Sequence, residues 1–337
     1  MCTVSKMGTT HSVSEMGAAR SDATPAAPRI PFGQTDLQVS RLCQGTAFRH
    51  LPRADGPESL AVLHHCLDQG VNFFASAQAY GWGGAEEVLG KAVAGRRDEV
   101  VLCTKVPASL APPDDDEPGK RVHYTRAHLT DRLEESLRRL RTDYVDLYLL
   151  HHRDEGTPPE EIAAVMQDLV QSGKTRYWGV SNHSAAEVEA FLSLAPIAGV
   201  EDYYNIAGSH YDEEGRARVA VYEEEMIPLL KRENLGCMAF SPMDTGLLAP
   251  EKPDDPALAE LAAAIDRVAA DLESSRASVC VAWVLHQGLT CVLAGSESAE
   301  HVDMNLAGTR LQLPAGALAT LDQARQTYRL SQQEPSA

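Results

Sequence analysis

Short apolar runs alternate along this chain with longer segments whose apolar positions recur every three to four residues. The runs from Arg41 to Thr46, Val71 to Phe74, Val100 to Lys105, Val145 to His151, Arg176 to Ser181, Val200 to Tyr204, Gly236 to Phe240 and Thr290 to Ala294 predict eight strands. Between them, Leu129, Leu133, Leu137 and Leu140 mark one face of a helix, with Glu134 and Arg138, and Glu135 and Arg139, spaced to pair on its exposed side. Leu258, Leu261, Ile265, Val268 and Leu272 mark another, preceded by Asp255-Pro256 as cap and first turn. Thr157-Pro158-Pro159-Glu160 and Ser184-Ala185-Ala186-Glu187 read as helix starts with capping-box glutamates. Strands and helices in strict alternation predict an α/β fold, a single closed (β/α)8 barrel of parallel strands with C-terminal helices. The expected division is a flexible tail over 1–29, the barrel over 30–330 and a short tail over 331–337, with no internal repeat.

Composition narrows the function classes. A formal net charge of −18 over 337 residues argues against nucleic acid, whose phosphates need lysine and arginine to displace counterions. The run Asp114-Asp115-Asp116-Glu117 reads as a solvated loop, and no metal site is expected. Seven cysteines without a Cys-x-x-Cys pair read as small core residues in a reducing compartment, which predicts a cytoplasmic protein. No apolar stretch approaches the roughly 18 residues of a membrane span, and the first 29 residues lack the apolar stretch of a secretory signal. Polar inserts over 111–119, 207–215 and 246–256 follow strands, so they are expected on the C-terminal face of the barrel, bordering a site.

Three strand ends deliver chemistry. Asn72-Phe73-Phe74-Ala75-Ser76-Ala77-Gln78-Ala79-Tyr80-Gly81 ends in a tyrosine, Val100-Val101-Leu102-Cys103-Thr104-Lys105 in a lysine, and Asp146-Leu147-Tyr148-Leu149-Leu150-His151 in a histidine. A phenol ordinarily holds its proton at neutral pH, its pKa being near about 10, and an ammonium beside it favours the phenolate. Such a pair can pass a proton to an oxygen that is gaining negative charge. The motifs, in this order, resemble those of the aldo-keto reductases across about Ile30 to Leu330. The resemblance implies that Tyr80 gives the proton, that Lys105 tunes it and that His151 orients the carbonyl oxygen. The side chain of His152 is expected on the opposite face of the strand.

In the family an aspartate that pairs with the lysine stands where this chain has Ala75. An alanine there leaves Lys105 without that partner and should lower its pKa relative to the paired case. Three consequences are open from the sequence. Another carboxylate, water or the tyrosine replaces the partner in a slower reductase, Lys105 or Tyr80 acts as the base of a lyase, epimerase or dehydratase that uses a transiently oxidised or bound NAD(P), or the site binds a cofactor without turnover.

No Gly-x-Gly-x-x-Gly follows a strand, so a Rossmann domain is not expected. The resemblance instead implies a nicotinamide cofactor held by strand ends. Gly45 and Thr46 belong to this set, with Ser181 and Asn182 at the carboxamide and Glu201 where relatives usually carry a glutamine for the same group. Phe240 would stack on the nicotinamide, followed by Ser241, Pro242, Met243, Gly246 and Leu247. Gly295, Ser296, Ser298, His301 and Asn305 would clamp the adenosine end. Gly295 and His301 stand where many relatives place basic residues, and Glu297 opposes a 2′-phosphate, so the choice between NAD and NADP tilts to NAD. The implied partner is a small carbonyl or alcohol. Trp82, His151, His152 and the polar stretch from Gly208 to Arg216 favour a polar, sugar-like one. The sequence does not give the oligomeric state.

Overall fold

Period-two alternation sorts the side chains of each strand between two environments, and in the computed structural model both are apolar. The structure describes residues 27–48, 55–107, 123–154, 156–208, 222–249 and 253–332. Its strands are β1 (Arg29–Pro31), β2 (Gln38–Ser40), β3 (Leu42–Gly45), β4 (Phe73–Ala75), β5 (Val101–Val106), β6 (Val145–Leu150), β7 (Thr175–Ser181), β8 (Gly199–Tyr203), β9 (Gly236–Phe240) and β10 (Cys291–Ala294). The last eight close a barrel in the order β10-β3-β4-β5-β6-β7-β8-β9, every pairing parallel. These are the eight strands that the apolar runs predict. Inward residues of alternating strands, among them Cys43, Phe73, Ala75, Val101, Cys103, Leu147, Leu149, Met238 and Cys291, fill the lumen. Their neighbours Leu42, Phe74, Leu102, Tyr148, Leu150, Val180, Val200, Ala239 and Val292 face the helices. Lys105 therefore shares the inward face with Val101 and Cys103, and His151 continues that of Leu147 and Leu149.

The helix Arg126–Leu140 buries Leu129, Leu133, Leu137 and Leu140, and Arg139 pairs with Glu135 at 3.7 Å. Glu134 pairs instead with Lys174 of the loop before β7. Ser184 and Glu187 form the expected capping box, and Asp255 accepts from the Leu258 amide at 2.8 Å. Thr157 does not cap its helix: Pro158 is the capping residue of Pro159–Gln171, because two successive prolines move the helix start one residue on.

The antiparallel pair β1 and β2 has no counterpart in the predicted strands. It carries Phe32 to the N-terminal end of the lumen, fully buried and edge-on to Phe73 at 5.6 Å between ring centroids. Gly199 and Gly236 make room for it, since a Cβ at Gly236 would lie 2.4 Å from the ring. The barrel is thus closed at its N-terminal end by Phe32.

Residues 1–26, the acidic run Asp114 to Glu117 with the rest of the 111–119 insert, and residues 209–215 lie outside the described residues. Among the described residues, no helix is long and apolar enough to cross a membrane and no group of three or more His, Cys, Asp or Glu could hold a metal ion. Six cysteines there are free and buried.

Candidate active site

At the C-terminal end of the barrel, the Ser76 amide bonds to the Cys103 carbonyl at 2.9 Å and carries the chain past β4 into the tight turn Tyr80–Gly83. Gly81, Trp82 and Gly83 all have positive φ there, a conformation natural to glycine and unfavourable for a tryptophan, whose side chain stays largely exposed. This turn swings the Tyr80 hydroxyl over the lumen. Lys105 rises from β5 to meet it, with Nζ 3.4 Å from the phenol oxygen and donating to the Ser76 carbonyl at 3.0 Å. The His151 ring stands edge-on to Tyr80, with centroids 5.7 Å apart.

A third oxygen completes the surroundings of the ammonium: Glu201 Oε2, from β8, lies 3.2 Å from Nζ, and both side chains are buried. Of the groups left open to take the place of the missing aspartate, the structure sets a carboxylate beside Lys105. Position 201 shares the inward parity of Gly199 and Tyr203, so barrel closure brings its carboxylate to the amine. Burial by itself would depress the lysine, but Glu201 outweighs it and holds Lys105 above the ordinary lysine value. Burial raises Glu201, with Lys105 opposing the rise. Burial also keeps the Tyr80 phenol above its usual value against the pull of Lys105, so the resting phenol is protonated.

Burial lowers His151 well below the usual imidazole range, reinforced by Lys105 and His152. His152 does not face away as expected: β6 ends at Leu150, strand alternation stops with it, and the two rings stack at 4.5 Å with planes 7° apart. A histidine kept neutral by the fold sets a sign for stability. Below the unfolded value near about 6.5 the unfolded chain takes a proton that His151 refuses, so stability is full above that pH and declines as pH falls through it. The urea midpoint is expected to drop between pH 7.5 and pH 5.5, and His151→Asn to remove about 1 kcal/mol of that drop. Equal pH slopes for the two proteins would contradict this.

Most of the proposed cofactor residues lie at or beyond the C-terminal ends of β3, β7, β9 and β10, with His301 and Asn305 on the helix Ala299–Gly308. Gly45 ends β3, where a Cβ would meet the Leu293 side chain at 2.9 Å, and Thr46 joins Ser76 Oγ at 2.8 Å. Ser181 is buried at the end of β7, and Asn182, at φ 62°, donates from Nδ2 to the His151 carbonyl at 2.9 Å. Phe240 packs against Tyr203, with ring centroids 5.5 Å apart. Beyond it the chain turns through Ser241, Pro242 and Met243 to Gly246 and Leu247; Ser241 and Gly246 have positive φ, and Leu247 is exposed. After β10, Ser298 caps the helix Ala299–Gly308 by accepting from the His301 amide at 3.1 Å. Asn305 donates to Ser296 Oγ at 3.1 Å while its own Oδ1 is buried with no hydrogen-bond partner. A Cβ at Gly246 or Gly295 would meet nothing within 4 Å.

The sequence model of the Aldo/keto reductase family matches residues 41–326, nearly the whole barrel. The chain belongs to the aldo/keto reductase family. Aldo-keto reductase YhdN of Bacillus subtilis (strain 168) is 33% identical over 224 residues, 64% of this chain, and the match spans 62% of that relative's length, less than two thirds. Methylglyoxal reductase YeaE of Escherichia coli (strain K12) is 31% identical over 296 residues, covering 86% of this chain and 92% of the relative. The solved glycerol dehydrogenase of Gluconobacter oxydans superposes with a TM-score of 0.78 at 23% identity, covering 92% of this chain and 98% of the other, a likeness of fold.

Several residues that shape the site escape a reading by motif. Tyr203 donates to the Asp244 carboxylate, and Asn205 donates from Nδ2 to the Ser241 carbonyl at 3.0 Å, so these buried groups hold the turn after β9. Gln44 donates to the Ser296 carbonyl at 3.0 Å and ties the ends of β3 and β10 together. The signal for Tyr203 was its inward parity on β8. Nothing local marks Asp244 or Asn205.

Proposed function

We propose that this aldo/keto reductase uses NAD or NADP to interconvert a carbonyl and an alcohol on a small polar substrate. The observation that carries the reading is the approach of the Tyr80 phenol to the Lys105 ammonium at 3.4 Å beside His151. In the reducing direction Tyr80 gives its proton to the substrate oxygen, and in the oxidising direction it takes the proton back. Lys105 stabilises the phenolate left behind, and a neutral His151, whose ring stands edge-on to Tyr80, carries one N–H to donate to the same oxygen. The name of YeaE, methylglyoxal reductase, supports a small polar carbonyl for this chain.

The residues present fit a dinucleotide. The free space at Gly246 and Gly295 admits a ligand, and the unpartnered Asn305 Oδ1 is an acceptor awaiting a donor such as an adenine amine. Ser181 and Asn182 would hold the carboxamide, Phe240 would face the ring, and Ser296, Ser298 and His301 would border the adenosine phosphate. When bound, the nicotinamide supplies or accepts the hydride. Gly295, Glu297 and His301 put no lysine or arginine at that end, which favours NAD over NADP.

A carbonyl panel that includes methylglyoxal, followed by NADH and NADPH absorbance, tests the assignment. Consumption of reduced cofactor in step with alcohol formation is expected, faster with NADH. Product formed without a net absorbance change would point to a lyase or epimerase, and binding without product on any substrate to a cofactor sensor. The ammonium-carboxylate pairing of Lys105 weighs against a lyase that uses this amine as its base, and leaves Tyr80 as the base of that reading. Asn305→Ala is expected to weaken NADH binding about fivefold, measured by fluorescence quenching, with turnover at saturating cofactor nearly unchanged.

A further inference from the structure

We propose that Glu201 is the positioning residue that keeps Lys105 charged and directed at Tyr80, the carboxylate that relatives carry on β4 having moved across the lumen to β8. The inference rests on the oxidoreductase reading and assigns the electrostatics of the same site. Ala75 lies at the inward end of β4, almost completely buried against the lumen core, and its methyl group offers no acceptor. The ammonium of Lys105 has contacts with three oxygens, of which the Ser76 carbonyl and the Tyr80 hydroxyl are neutral and Glu201 Oε2 is the anion.

The other titratable groups that act on Lys105 supply no charge to replace it. Cys43 and Cys103 are raised by burial and stay thiols, Tyr80 stays a phenol, burial lowers His151, and an imidazole such as those of His151 and His152 brings no negative charge in either state. Asp202, next in sequence, has the opposite strand parity and receives the Tyr222 hydroxyl at 3.3 Å. Two buried ions of opposite sign at 3.2 Å explain each other: either by itself would be a desolvated, uncompensated charge. A glutamine at 201, with no charge, would leave the lysine in that condition while Ala75 remained.

The pairing also changes what position 201 can offer a nicotinamide carboxamide. A carboxylate accepts hydrogen bonds and donates none, so Glu201 can receive the carboxamide NH2 but cannot donate to its carbonyl. Ser181 and Asn182 are left for that oxygen.

The test compares the full chain with Glu201→Gln, Ala75→Asp and the double variant Ala75→Asp/Glu201→Gln. Lysine side chains carrying isotope label are titrated by NMR, and the Lys105 signal is assigned by its loss in Lys105→Met. In the unaltered protein the Lys105 signal is expected to stay that of an ammonium up to about pH 10. In Glu201→Gln it should titrate at least about one unit lower than in the unaltered protein, and kcat should fall roughly tenfold, the loss growing toward alkaline pH. KM for the carbonyl should change little. The double variant should recover both the lysine titration and the alkaline limb of kcat, which a role in packing alone would not produce.

The proposal is overturned by a Lys105 that titrates near neutrality in the unaltered protein, by an unchanged profile in Glu201→Gln, or by a double variant no better than Glu201→Gln. If Glu201→Gln does not fold, the titration of the unaltered protein and of the double variant decides. The NMR titration needs no turnover. Failure of the oxidoreductase reading would therefore show as absent cofactor consumption with the lysine behaviour intact, and failure of this inference as the reverse.

Discussion

Replacing Tyr80 by phenylalanine is expected to lower kcat for carbonyl reduction by about 10²- to 10⁴-fold, the usual worth of a positioned general acid. The change deletes the hydroxyl that stands 3.4 Å from Lys105 Nζ and keeps the ring that packs edge-on against His151. Cofactor affinity should hold, because the residues assigned to the dinucleotide lie on β3, β7, β8 and β9, on the segments that follow β3, β7, β9 and β10, and on the helix Ala299–Gly308. Lys105 keeps Glu201 and the Ser76 carbonyl, so the fold should not suffer. The measurement is steady-state turnover with NADH binding followed in parallel by fluorescence. Turnover within a factor of about three of the unaltered protein would mean that the proton comes from elsewhere, with His151 the next group to examine.

The largest effect on stability is expected at the opposite end of the barrel. Phe32→Ala should cost about 3–5 kcal/mol, the range for removing a fully buried aromatic side chain. Phe32 is completely enclosed, stands against Phe73, and is seated over Gly199 and Gly236. Those glycines have no side chains that could collapse into the space left by the ring, so the cavity should persist and the cost lie toward the upper part of that range. Urea unfolding gives the value through a lower midpoint at unchanged slope. A loss below about 1 kcal/mol would mean that the hairpin β1–β2 contributes little to closing the barrel.

The fold is legible in the chain because its signals are local. Each barrel strand is an apolar run of a few residues, and each helix announces itself by a stripe such as Leu129, Leu133, Leu137 and Leu140, or by a cap such as Ser184 with Glu187. The hairpin escaped because its two strands, Arg29–Pro31 and Gln38–Ser40, are three residues each, with too few positions to establish an alternation. The site divides in the same way. Tyr80, Lys105 and His151 could be picked out because each ends an apolar run, and the structure brings all three to one place. The His151 and His152 pair was misjudged because alternation was carried past the last residue of β6.

The period-two pattern and the helical stripes between the apolar runs determined by themselves that this protein is a closed barrel of eight parallel strands, with Tyr80, Lys105 and His151 at the C-terminal ends of three of them. Which charge stands against Lys105 was decided by the tertiary structure. Positions 105 and 201 are nearly a hundred residues apart, and β5 and β8 are separated by two intervening strands around the barrel. Their side chains meet only after the sheet closes on itself, and a buried ammonium takes whichever carboxylate closure delivers, since an unpaired one would cost more than the fold can spare.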